Sequence, residues 1–155
     1  KISSFVLGGH GDSMVAMLES TLIDGKKINE LVKDGKISQD RLKSIVERTK
    51  KGGAEIVKLL EKGSAYYAPA ASGVQMAEAY LKDQKKMLPC AVQLNGEYGV
   101  QNVYAGVPAV IGKDGAEKIE QIDLDEKEKK EFMHSIDAVK ALWEAASKID
   151  PDLSK

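Results

Sequence analysis

His10 is the residue of this chain best suited to move a proton. It stands in Val6-Leu7-Gly8-Gly9-His10-Gly11-Asp12-Ser13-Met14, a glycine-flanked loop that directly follows an apolar run. An imidazole exchanges its proton near neutrality, with an unperturbed pKa of about 6.5. Gly9 and Gly11 lift steric limits on the backbone, so the chain can turn sharply and a substrate can come close. Asp12 adds a carboxylate able to brace the loop. The sequence has 2 histidines, which makes His10 the first candidate for acid–base chemistry. The other, His134, falls between Phe132 and Ile136, off the apolar face, and reads as a solvated helix residue.

Other chemistries are less well provided for. A metal site lacks a second histidine at ligand spacing, and Asp12 is a single nearby oxygen ligand. A serine hydrolase lacks its Gly-x-Ser-x-Gly elbow, and Ser13 is one of several loop serines. Cys90 lies in the apolar run Met87 to Leu94 and reads as a buried, inert thiol. As the single cysteine it excludes an internal disulfide framework and suits a reducing compartment. Tyr66-Tyr67, just before a helix, reads as packing, with pocket lining as the alternative. From this context alone, a proton-exchanging His10 and a turn-bracing His10 both stand.

The elements that must position these residues follow from hydrophobic period and turn chemistry. Ile2 to Leu7 reads as a strand running into the His10 loop. Asp24-Gly25 between Thr21-Leu22-Ile23 and Lys26-Lys27-Ile28 is a two-residue hairpin signal. Ser38 caps a long helix whose apolar face is Leu42, Ile45, Val46, Thr49, Gly53, Ile56, Val57 and Leu60, ending at Gly63. Gly52-Gly53 inside that helix costs about 1 kcal/mol per glycine relative to alanine, so a kink or close backbone packing is expected there. Pro69 enters the first turn of a helix running to about Lys82. Met87 to Leu94, Val103 to Ile111 and Ala116 to Ile122, joined at Asn95-Gly96 and Lys113-Asp114-Gly115, read as an antiparallel meander. Asp125 caps a last helix, with Glu126 and Glu128 in its first turn. Its buried face is expected to be Phe132, Ile136, Val139, Trp143 and Ala146, and Asp150-Pro151 ends it.

The order gives an α+β fold: a mixed or antiparallel sheet with long helices packed on it, in one domain over residues 1–155. The 43% apolar content argues against disorder and the 30% charged content against a membrane protein. A formal net charge of −1 gives no basic face for nucleic acid. No stretch reaches the roughly 20 apolar residues that span a bilayer. The chain contains neither a strand–Gly-x-Gly-x-x-Gly–helix unit nor a Walker-type loop, so it holds no nucleotide fold of its own. It begins Lys1-Ile2-Ser3-Ser4-Phe5 without an initiator methionine or signal peptide, and reads as a piece of something longer.

Gly8-Gly9-His10-Gly11-Asp12-Ser13-Met14 resembles the histidine loop of the lactate/malate dehydrogenase superfamily. The likeness extends in order through Gly52-Gly53-Ala54-Glu55-Ile56-Val57, Gly63 to Ser72, Leu88-Pro89-Cys90, Gly96-Glu97-Tyr98-Gly99 and Gly106-Val107-Pro108-Ala109-Val110-Ile111-Gly112. Together these are similar to the C-terminal half of bacterial malate dehydrogenases of the lactate-dehydrogenase-like type.

The resemblance implies a substrate-binding and catalytic domain in which His10 is the proton relay. In the family the nicotinamide of NAD takes a hydride from C2 of a 2-hydroxy acid while this histidine removes the hydroxyl proton. For malate and NAD the products are oxaloacetate and NADH, a reaction of the tricarboxylic acid cycle, in a cytoplasmic homo-oligomer (dimer or tetramer) with no nucleic-acid or membrane partner. Ser64 and Ala65 match positions near the substrate, a 2-hydroxy or 2-keto dicarboxylic acid, and Pro69 one near the nicotinamide.

The family's NAD-binding Rossmann domain, the aspartate that pairs with the histidine and the arginines that hold the substrate carboxylates have no counterpart in these residues. Asp12 is not that aspartate. The 155-residue chain by itself is therefore expected to be inactive. The alternatives are the matching domain of an L-lactate dehydrogenase, or a module that assembles without doing chemistry.

Overall fold

The computed structural model describes residues 1–154 and is α+β, as the sequence implies. Its first part is built of short pieces: β1 (Ile2–Ser3), β2 (Val6–Leu7), β3 (Val15–Ala16), β4 (Leu22–Ile23) and β5 (Lys26–Lys27). β1, β4 and β5 form one small antiparallel sheet, and β2 and β3 another. The expected single strand over Ile2 to Leu7 is thus two strands in different sheets. The chain changes partners at Ser4 and Phe5, where the Ser4 hydroxyl meets Thr21 Oγ1 at 2.9 Å and the Phe5 carbonyl accepts from the Met17 N–H. The Asp24-Gly25 hairpin forms as expected, with φ of 47° and 79° at the two turn residues, the combination a two-residue turn between strands requires.

Four helices follow before the main sheet: α1 (Ile28–Lys33), α2 (Gln39–Lys50), α3 (Gly52–Leu60) and α4 (Tyr67–Leu81). The sequence reading missed α1 and gave Ile28 to the hairpin. The three-residue spacing of Ile28 and Leu31, the two buried side chains of α1, was the available signal. The long helix from Ser38 is two helices, broken at Lys51 (φ −95°, ψ 3°). Ser38 caps α2 as expected, its Oγ accepting from the Arg41 N–H. The glycine pair opens α3 rather than sitting inside a continuous helix, and no atom lies within 4 Å of where a Cβ on either would stand. The break is bridged by Arg48, whose guanidinium makes two hydrogen bonds to Glu55 and holds its carboxyl below the usual carboxylate range. Both side chains are exposed, so the pair fixes the elbow's shape more than it adds stability.

The main sheet is the expected antiparallel meander of β6 (Lys86–Asn95), β7 (Gln101–Gly112) and β8 (Gly115–Ile119). Opposed pairs on one of its faces are Leu94 with Val103, Val92 with Ala105, Cys90 with Val107 and Leu88 with Ala109, an unbroken apolar surface made by the two-residue period. The helix α5 (Glu126–Ile149) packs Phe132 and Ile136 into the end of this face nearest Val103, Ala105 and Val107, together with Leu7, Val15 and Met17. At the other end Ala79 of α4 joins Leu88, Cys90, Ala109 and Ile111.

α5 begins in a capping box. Asp125 accepts from the Glu128 N–H at 2.6 Å and Glu128 accepts from the Asp125 N–H, satisfying two otherwise orphan donors. Its buried face is shorter than the sequence pattern suggests. Val139 is half-buried and Trp143 is 57% exposed, because the apolar stripe runs on past the elements packed under its first half. No helix among the described residues is long and apolar enough to cross a membrane.

Tyr98 locks the turn between β6 and β7. It takes a left-handed conformation (φ 54°), packs its ring on Phe132 at 5.1 Å and accepts a hydrogen bond from the Ile122 N–H at 2.9 Å. Burial raises its phenol above the ordinary value. The unfolded phenol therefore ionises first as pH rises, so this contribution to stability is complete below about pH 10 and is lost above it. Tyr98→Phe is expected to cost about 1 kcal/mol at pH 7 by orphaning the Ile122 N–H. It should also flatten the fall in urea midpoint between about pH 9.5 and 11, read by titrating both proteins.

Candidate active site

The His10 loop is fastened to the sheet and to α5 by its own backbone. β8 pairs with β7 only from Ala109 to Gly112, which leaves the edge of β7 at Gly106 open, and Gly8 takes it. The Gly8 N–H donates to the Gly106 carbonyl at 2.9 Å and the Gly106 N–H to the Gly8 carbonyl at 2.8 Å. Gly8 has φ +89°, and a Cβ there would overlap the Ser135 side chain; a Cβ on Gly106 would stand 2.9 Å from the Gly8 oxygen. The approach admits only glycine on both sides. One residue later the Gly9 N–H donates to Ser135 Oγ at 2.7 Å, and Ser135 is fully buried on α5.

His10 itself lies just beyond these anchors, in extended conformation (φ −93°, ψ 148°), at the entrance to a short 3-10 turn over Gly11–Ser13. It is exposed. Among the described residues nothing hydrogen-bonds its ring, so the turn-bracing reading has no support in this fold. Asp12 makes no side-chain hydrogen bond or ion pair either. The bracing expected of it is done instead by Ser135, Gly106 and the Met14 N–H bond to the Gly11 carbonyl. No group of three or more His, Cys, Asp or Glu suited to a metal occurs among the described residues.

A groove of about 380 Å³ opens on one side of His10. Its far wall is the α2–α3 elbow, through Thr49, Lys50, Lys51, Gly53, Ala54 and Val57, and its end is closed by Ser64 and Ala65. The structure thus brings Ser64 and Ala65, more than 50 positions away in sequence, to the histidine. Pro69 does not line this groove. It lies in the first turn of α4 and is exposed. Within this wall Gly53 and Ala54 are small, and no atom lies within 4 Å of where a Cβ on Gly53 would stand. Lys50 and Lys51 line the groove as cations and Asp12 as an anion, and Lys51 also pairs with Glu47 at 3.9 Å.

A second depression of similar size lies on the other side of His10, over Pro89, Cys90, Ala91, Tyr104 and Val139. Cys90 is 5% exposed, and burial pushes its thiol up, away from the thiolate a nucleophile needs. The inert reading of Cys90 fits this setting. His134 is exposed on α5, as its place off the apolar face implies.

Sequence reasoning did not single out Ser135, Gly106 or the lysines of the elbow. A small polar residue flush with the apolar stripe Phe132–Ile136–Val139 was the available sign for Ser135. Nothing local marks Gly106, whose role exists only once Gly8 is paired with it.

Residues 1–149 match the family described as lactate/malate dehydrogenase, alpha/beta C-terminal domain. Over all 155 residues the chain is 77% identical to a malate dehydrogenase of Pelagibacter ubique (strain HTCC1062), covering 48% of that protein. Among solved structures it superposes on malate dehydrogenase from Cryptosporidium parvum with a TM-score of 0.88 at 45% identity, covering 91% of this chain and 45% of that one. Lactate dehydrogenase from Eimeria maxima, crystallised with NADH and oxamate, gives a TM-score of 0.92 at 41% identity, covering 97% and 47%. The chain spans about half the length of the relatives it matches.

Proposed function

Because the chain belongs to the lactate/malate dehydrogenase family through its alpha/beta C-terminal domain, we propose that it forms the substrate-binding and proton-relay half of an NAD-dependent malate dehydrogenase. The observation that carries this reading is the groove in which an exposed, unpartnered His10 faces Ser64 and Ala65. The 77% identity to a malate dehydrogenase supports malate over lactate as the substrate.

In this reading His10 acts at the oxygen on C2. During alcohol oxidation its neutral imidazole accepts the hydroxyl proton; during ketone reduction the imidazolium returns that proton and polarises the carbonyl. NAD, when bound, supplies the hydride acceptor for the hydrogen on C2. The residues present fit one end of that cofactor in that Gly53 and Ala54 put little bulk on the groove wall shared with His10. Ser64 and Ala65 shape the substrate side of the groove without offering a competing base. Pro69, in the first turn of α4 and outside this groove, keeps its role near the nicotinamide only through the family resemblance. The extended loop conformation presents the imidazole to the groove while its backbone stays bonded to Ser135 and β7. Lys50, in the groove lining, offers a cation to a substrate carboxylate.

The exposed apolar side chains of α3 and α4, among them Leu59, Tyr67, Val74 and Leu81, support coverage of this surface in a homo-oligomer. A cytoplasmic location goes with this reading. The test is steady-state reduction of oxaloacetate and of pyruvate by the full-length enzyme with NADH. Oxaloacetate is expected to be preferred in kcat/KM by about a hundredfold. Preference for pyruvate would move the assignment to lactate, and turnover of neither would leave only the assembly role.

A further inference from the structure

We propose that Ser135 is a positioning residue for His10, setting the histidine's place in the groove through the Gly9 N–H. This rests on the reading of His10 as the proton relay. Three observations converge on the hydroxyl. It accepts from Gly9 at 2.7 Å, across 126 positions of sequence, on the residue directly before the histidine. It is fully buried, so no water competes for that bond. The same side chain fills the space a Cβ on Gly8 would need, so hydroxyl and glycine fit each other.

The other anchor, the pair of bonds between Gly8 and Gly106, fixes where the loop leaves β7. The Gly8 carbonyl that accepts from Gly106 belongs to the same peptide unit as the Gly9 N–H, so sheet and helix grip that unit from its two edges. The Ser135 bond ties that unit, one residue before the histidine, to α5, and beyond it no side chain holds the imidazole among the described residues. Proton transfer needs the ring within hydrogen-bond reach of the substrate oxygen, and a displacement of about 1 Å can cost on the order of 100-fold in rate.

The test is a double-mutant cycle in the full-length enzyme. Ser135→Ala is expected to lower kcat by about 10-fold to 100-fold with KM within about twofold, in a protein that remains folded. In a His10→Asn background the same change should have no further effect, because Ser135 acts only through the histidine. Ser147→Ala, on the same helix, removes a buried hydroxyl with no hydrogen-bond partner among the described residues and should leave kcat unchanged. If the alanine variant does not fold, Ser135→Cys, similar in size with a weaker acceptor, takes its place and should give a smaller loss of the same kind.

Wild-type kcat in Ser135→Ala, or a loss repeated in full in the His10→Asn background, overturns the proposal while leaving the relay reading intact. An equal loss in Ser147→Ala does the same. Full turnover by His10→Asn alone overturns the relay reading and this proposal with it.

Discussion

His10→Asn in the full-length enzyme is expected to lower kcat by about 10²-fold to 10⁴-fold in both directions, the range that loss of a positioned acid–base group produces. Asparagine is close to imidazole in reach and can still donate a hydrogen bond to a carbonyl, but it carries no exchangeable charge. The loss therefore isolates proton transfer from substrate placement. KM should change little, because the groove walls at Ser64, Ala65, Gly53 and Ala54 are untouched. Stability should also stay near that of the wild type, since His10 is exposed and makes no side-chain hydrogen bond among the described residues. Initial rates of oxaloacetate reduction, with a thermal melt as control, check all three expectations.

Gly8→Ala is expected to be the most damaging single change to the fold around the site, at about 3 kcal/mol. A left-handed backbone costs a residue with a Cβ about 1–2 kcal/mol. The new methyl would overlap Ser135 on α5, and relieving the overlap pulls Gly8 from its two bonds with Gly106, each worth about 1 kcal/mol. Gly11→Ala separates the contributions. Gly11 also has positive φ, at +76°, but its missing Cβ faces open space, so only the backbone strain of about 1 kcal/mol applies. The difference between the two urea midpoints measures the packing part. Equal shifts would mean that the fit between Gly8 and Ser135 contributes nothing.

Much of this fold was legible in the chain because its signals are local. The Asp24-Gly25 hairpin, the Ser38 and Asp125 caps and the three strands of the meander depend on residues within a few positions of one another. What was not legible depends on tertiary partners. The run Ile2 to Leu7 has the composition of one strand, but Ser4 and Phe5 bond to Thr21 and Met17, and the two halves enter different sheets. The break at Lys51 was legible in part: the apolar period runs across it, but the helix cost of the adjacent Gly52-Gly53 marked a kink there.

The site divides in the same way. His10 stood out by residue type and by its glycines, whereas Ser64 and Ala65 were reached only by resemblance; the fold places all three on one groove. Asp12, the obvious brace in sequence, is exposed and unbonded. The bracing comes from Ser135, far along the chain, because a buried hydroxyl can hold an amide that a solvated carboxylate cannot.

In the proposed mechanism His10 carries the proton in both directions. Its most direct test is the pH dependence of kcat/KM for oxaloacetate reduction and malate oxidation, in the wild type and in His10→Asn. Wild-type reduction is expected to fall as pH rises and wild-type oxidation to fall as pH drops, both through one shared ionisation, and both limbs should vanish in His10→Asn. Limbs that persist unchanged in His10→Asn would contradict the mechanism.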